Sequence, residues 1–259
     1  MHDESIGNFS AFRREWVIRG RNFGDGQVEV TATRFDRYMG AQGLSLMPRA
    51  KRGESENTEQ NLMDAAKRAK QQVRLRCKAI SADRMITLTY RENMVDKTKL
   101  KKDFDALRRR LSRVRDFHYV AVAERQKRGA WHLHIAVKGR QNYRVLRSMW
   151  RSIVGQDNGN IDVRNPFREK GLRHKLASYI GKYITKDFSE HALNEKRYWT
   201  SRGVVIPDVH PIAHLLCDDP AKAIKTAFDA ALKAGSSLDR CQAYWNQELG
   251  CFWLSTREA

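Results

Sequence analysis

His132 and His134 stand one residue apart in the run RQKRGAWHLHIAV, residues 125–137. The apolar and aromatic residues around them favour a strand. Residues i and i+2 of a strand project from one face, so both imidazoles point the same way. Residues 118–124, HYVAVAE, form a second strand candidate, and the QKRG between them has the polarity and glycine of a hairpin loop. A loop of Lys127, Arg128 and Gly129 sets Glu124 across from His132 on the imidazole face. A two-residue loop slips the register by one and turns Glu124 away. In the first register two imidazoles and a carboxylate converge, a donor set that suits a divalent metal.

A second set of chemical side chains lies in residues 171–188, GLRHKLASYIGKYITKDF, which read as a helix after Pro166. Tyr179 and Tyr183 are four apart and share a helix face, as do Lys182 and Lys186. The run is two copies of a YxxK unit. Packing of two core tyrosines on an amphipathic helix accounts for the phenols alone. Hydroxyl and ammonium groups repeated in register are less easily explained by packing.

The elements that must position these groups follow from periodicity. Arg84–Tyr90 alternates as a strand, with Ile86, Leu88 and Tyr90 on one face and Met85, Thr87 and Thr89 on the other. Asp96 or Thr98 caps a helix whose stripe is Leu100, Phe104, Leu107, Leu111 and Val114. Asn142 caps another, Tyr143–Val154, which turns Leu146, Met149, Trp150 and Ile153 inward and ends at Gly155. Residues 160–164 make a short strand. The order β-α-β-β-α-β is the ferredoxin-like, or split βαβ, motif. The expected fold is α+β: an antiparallel sheet with helices packed on one face, the other face open to a ligand, and extra helices at both ends.

Upstream, residues 59–79 read as a helix with Leu62, Ala66, Ala69, Val73 and Cys77 near one face and Lys67, Arg68, Lys70, Arg74 and Arg76 on the other. That basic face suits either solvent or phosphates. Residues 27–33 alternate as a strand, and the polar stretch from Gly40 reads as a linker. Downstream, Tyr198 and Trp199 beside Arg202 suit base stacking or the packing of an edge strand. Asp219 and Pro220 open a helix to about Ala234, followed by an apolar segment, CFWLS. The expected organisation is an extension and linker at 1–58, a core at 59–207, and a tail at 208–259 closing that core.

With 49 Lys and Arg against 30 Asp and Glu, the chain carries a formal charge of +19 and a pI of about 10.1. This balance points to a polyanion partner, nucleic acid above all. The four cysteines form no CxxC pair, and the first residues lack the apolar core of a signal peptide. No run is long enough to span a membrane. The expectation is a cytoplasmic protein with free thiols and no membrane association. His210, His214, Cys217 and Cys241 match no standard zinc-finger spacing.

An HxH strand, a glutamate on its partner strand and a downstream YxxKYxxK helix resemble the HUH endonucleases. Within them the resemblance is to two-tyrosine rolling-circle replication initiators of single-stranded DNA phages and plasmids. RMITLTY at 84–90 resembles their first motif, His132-Leu133-His134 the second, and Tyr179–Lys186 the third. The YWTSRG run is also similar to this group. The resemblance spans about 59–207. It implies a metal-dependent endonuclease and strand transferase acting on single-stranded DNA at a replication origin. His132, His134 and Glu124 would hold Mg²⁺ or Mn²⁺. Tyr179 and Tyr183 would be nucleophiles, with Lys182 and Lys186 beside them. No GxxxxGK[ST] motif occurs, so unwinding and synthesis are expected from a host helicase and polymerase, in a bacterial host's cytoplasm. A relaxase or single-strand transposase would keep the chemistry, although relaxases place their tyrosine before the histidines. A non-catalytic RRM-like binder would instead expose aromatics on its central strands.

Overall fold

The computed structural model describes residues 12–39, 51, 54–164, 180–181 and 195–256. The chain is α+β and divides into two units, the central one being Ala50–Ile206 and the other built from the two chain ends. No described helix is long and apolar enough to cross a membrane.

The central unit contains α1 (Thr58–Ala79), β3 (Arg84–Tyr90), α2 (Lys97–Val114), β4 (Tyr119–Arg125), β5 (Trp131–Val137), α3 (Tyr143–Val154), β6 (Gly159–Arg164) and β7 (Trp199–Thr200). Its sheet has the order β6-β3-β5-β4-β7, every pair antiparallel. The expected βαββαβ core is therefore present, with β7 added at the β4 edge.

Period-two alternation sends Ile86, Leu88, Tyr119, Ala121, Leu133, Ile135 and Ile161 to the first face. There they meet the stripes of α2 (Leu100, Phe104, Leu107, Leu111) and α3 (Leu146, Trp150). Burying each of these large side chains contributes on the order of 1.5–3 kcal/mol. Asp96 starts α2 by accepting from the backbone N–H of Thr98 at 2.7 Å and of Lys99 at 3.1 Å. Asn142 does the same for α3 through Val145 N–H at 3.2 Å. Val114 does not belong to the buried stripe. It lies in the last turn of α2 and is 73% exposed.

The second face is not left bare as expected. Val73 and Cys77 of α1 pack on Met85, Val120, Val122 and Ala136, and Ile180 joins this cluster. The apolar half of the face is covered, and its polar half carries the histidines. All four cysteines are free thiols.

The other unit is a five-stranded antiparallel sheet of β1 (Phe12–Gly24), β2 (Gln27–Tyr38), β8 (His210–Leu215), β9 (Gln242–Asn246) and β10 (Cys251–Ser255), in the order β8-β1-β2-β10-β9. Helix α4 (Pro220–Lys233) lays Ala223, Ala227 and Ala231 against Trp16, Ile18, Val30, Phe252 and Leu254. The two ends, expected as a separate extension and a tail on the core, thus build one sheet with its own apolar core. CFWLS pairs with β2, and Thr256 Oγ1 accepts from Val28 N–H at 2.8 Å. His214 faces Glu15 at 2.6 Å.

Candidate nucleic-acid processing site

The β4–β5 hairpin closes with the three-residue loop Lys127, Arg128 and Gly129. Gln126 accepts from Gly129 N–H at 2.8 Å and donates its own N–H to Ala130 O at 2.9 Å. Gly129 sits at φ +87°, where a side chain would be strained and glycine is not. This is the turn that places a left-handed residue last in a three-residue hairpin. It fixes Glu124 across from His132 and Val122 across from His134.

His134 is 5% exposed and held at both ring nitrogens. Its Nδ1 lies 3.2 Å from Thr87 Oγ1, and its Nε2 lies 2.8 Å from Glu124 Oε2. The cross-strand pairing Thr87↔His134 sets the first contact. His132 is held at one nitrogen only. Its Nδ1 lies 3.1 Å from Gln126 Nε2, while its Nε2 is buried with no hydrogen-bond partner. Burial, and next the proximity of His134, depress the His132 pKa to about 4, so its ring is neutral at pH 7.

Two imidazoles and a carboxylate form a donor set appropriate to a divalent cation. The orphaned His132 Nε2 is an unmet demand that a cation would satisfy. Buried polar atoms without partners are costly, at about 1–3 kcal/mol each. Gln126 Oε1 accepts from Arg128 Nε at 3.2 Å, which leaves its amide nitrogen to donate to His132 Nδ1. Ligation through Nε2 therefore needs that amide to turn and accept from Nδ1–H. In this structure His134 and Glu124 hold one another directly. Among the described residues no three His, Cys, Asp or Glu side chains are spaced as a metal centre. A cation at this place would replace the proton that His134 and Glu124 share.

Tyr179, Lys182, Tyr183 and Lys186 lie outside the described residues. Between them in sequence, Ile180 and Gly181 are helical. Ile180 is fully buried with Met85, Val120, Val122 and Ala136 on the face that also carries the histidines. A Cβ on Gly181 would meet Lys70 Cγ of α1 at 3.0 Å, so this position approaches α1 closely. Two other tyrosines belong to the opposite face. Tyr90 donates to Asp103 at 2.8 Å, and burial first, with Asp103 second, pushes its pKa far above the ordinary phenol value. Tyr119 is also raised, mainly by burial. Neither is a nucleophile candidate.

Sequence reasoning did not single out Thr87 or Gln126 as partners of the imidazoles. Their signal was available: Thr87 alternates onto the polar face of β3, and Gln126 flanks the hairpin loop. Trp199 and Tyr198 prove to be packing residues. Trp199 stacks on Phe104 with ring centroids 6.3 Å apart, and Tyr198 packs against the cluster under α1.

A search of curated proteins and of solved structures finds no significant match to the chain. Residues 83–188 do match a family model, described as replication-associated protein ORF2. The matched segment runs from the start of β3, through both histidines and Glu124, to beyond Lys186. This segment of the chain is therefore similar to replication-associated proteins of the ORF2 family, which points to a role in replication initiation.

Proposed function

We propose that this protein starts rolling-circle replication by nicking and rejoining single-stranded DNA at an origin through a 5′-phosphotyrosine intermediate. The observation that carries this reading is the position of Ile180. It is next in sequence to Tyr179 and three residues before Tyr183, and it is buried on the sheet face that carries His132, His134 and Glu124. The family match over 83–188 includes all of these residues.

In the proposed reaction a phenol oxygen of Tyr179 or Tyr183 bonds to a backbone phosphorus. The bond from that phosphorus to the 3′ oxygen breaks, and the 3′ oxygen takes a proton to leave as a free 3′-OH. The tyrosyl phosphodiester keeps the bond energy, so the reverse attack rejoins DNA without ATP. The second tyrosine offers a second nucleophile, letting one strand be cut while another is joined. Lys182 and Lys186 grip neighbouring phosphates and offset developing negative charge. His132, His134 and Glu124 would hold Mg²⁺ or Mn²⁺, which when bound polarises a non-bridging phosphate oxygen. Thr87 fixes the His134 ring through Nδ1. A phenol is mostly protonated near neutral pH, so its attack depends on a base or field at the site.

An RRM-like binder without catalysis fits less well. The second-face positions at the polar end of β3, β4 and β5 are Thr87, Thr89, Glu124, His132 and His134 rather than aromatic rings. The test is incubation of the protein with origin-derived single-stranded DNA and Mn²⁺, followed by a denaturing gel. The expected result is a protein–DNA adduct that vanishes when Tyr179→Phe and Tyr183→Phe are combined. An adduct that survives this double change refutes the nucleophile assignment.

A further inference from the structure

The central unit has a second concave surface that the proposed chemistry does not use. It is a cavity of about 730 Å³ between α2 and the segment 196–202 that contains β7. Six cationic side chains line it: Lys101, Arg108, Arg115, Lys196, Arg197 and Arg202. Two carboxylates oppose them, and one of these, Asp105, already pairs with Arg108 at 2.5 Å. Lys101, Lys196 and Arg202 are exposed and form no ion pair among the described residues. Like charges gathered at a concave wall repel one another and focus a positive field outward. Hydroxyl groups of Ser112, Thr200 and Ser201 lie among them.

The groove is distinct from the histidine site. Tyr119, at its floor, begins β4 on the first sheet face, whereas Glu124 lies five residues on and faces the second. Five strand residues span roughly 17 Å at about 3.3 Å each. Its aromatic residue Trp199 is engaged with Phe104 in the core, so the groove presents charge and hydroxyls rather than a stacking platform.

We infer that this groove is a second DNA-binding site, which holds the sugar–phosphate backbone of the strand flanking the nick. The inference rests on DNA being the substrate, as proposed above. Cations and hydroxyls without stacking rings grip phosphates irrespective of sequence. The groove therefore tethers the protein to the origin, while the histidine face performs the chemistry.

The test uses the full chain with Lys101→Ala, Lys196→Ala and Arg202→Ala combined, and fluorescein-labelled single-stranded and duplex oligonucleotides of about 30 nucleotides. Affinity is measured by anisotropy across a salt series. If each removed cation neutralised one phosphate, the log–log salt slope on single strands becomes shallower by about 2, from roughly 0.7 per contact. Affinity near 0.15 M salt then falls at least about tenfold. Whichever oligonucleotide shows the larger loss identifies the form of DNA held. A matched triple change at exposed Arg109, Arg113 and Arg144 leaves the slope closer to that of the unaltered protein. An unchanged slope in the groove variant, or an equal loss in the matched control, overturns the inference. Adduct formation on a short, saturating oligonucleotide separates the two proposals. If the unaltered protein forms no adduct yet the groove variant loses affinity, the cleavage reading fails and the groove stands. If the unaltered protein forms the adduct and the groove variant binds normally, only the groove fails.

Discussion

Thr87 Oγ1 lies 3.2 Å from Nδ1 of His134, across the pairing of β3 with β5. The contact fixes the ring plane and leaves Nε2 directed at Glu124. A hydroxyl here can donate to Nδ1 in the resting protein and accept from it once Nε2 is occupied. Thr87→Val keeps the shape and deletes the contact. The expected result is a 10- to 100-fold loss of Mn²⁺ affinity by calorimetry, the usual cost of removing an outer-sphere partner of a ligating histidine. Unchanged Mn²⁺ binding would show that Thr87 does not orient the ligand.

Gly129 sets the hairpin register through its φ of +87°. The nearest atoms to an added Cβ are 3.9 Å away or more, so the cost of a side chain is conformational rather than steric. Gly129→Val should destabilise the protein by about 1–2 kcal/mol, and Gly129→Asn by clearly less, because asparagine tolerates the left-handed region. Urea unfolding at pH 7 measures both. Equal costs for the two substitutions would contradict this account of the turn.

Burial holds the His132 pKa at about 4, against an ordinary 6.5. The unfolded chain therefore takes up this proton before the folded one. The stability contribution is fully present above about pH 6.5 and is lost as pH falls through about 4. Urea unfolding in EDTA at pH 4.5 and 7.5 should show a pH-dependent loss that is smaller in His132→Gln. An identical pH dependence in the two proteins would place the His132 ring in solvent.

The central sheet was legible because its signals are local. Alternation in 84–90, the stripes of α2 and α3, their Asp96 and Asn142 caps, and the glycine of a three-residue loop each act over a few residues. The register placing Glu124 opposite His132 follows from that loop. The pairing of the chain ends was not legible. β10 hydrogen-bonds to β2 across more than 200 residues, and β1 hides its core positions, Trp16 and Ile18, among arginines. The packing of α1 on the second face was missed for a different reason. Its apolar side was visible in the sequence, but nothing local says which sheet face receives it. The imidazole partners depend on cross-strand and hairpin geometry, which appears only once the register is fixed.

The central claim is that a phenol from the YxxKYxxK run becomes covalently joined to DNA. Tryptic and nuclease digestion of the Mn²⁺-dependent adduct, followed by mass spectrometry, measures this most directly. The account predicts a residual nucleotide mass on the peptide containing Tyr179, Tyr183, or both. A nucleotide mass on Tyr90, Tyr119 or any peptide outside this run, or cleaved DNA with no linked peptide at all, would contradict it.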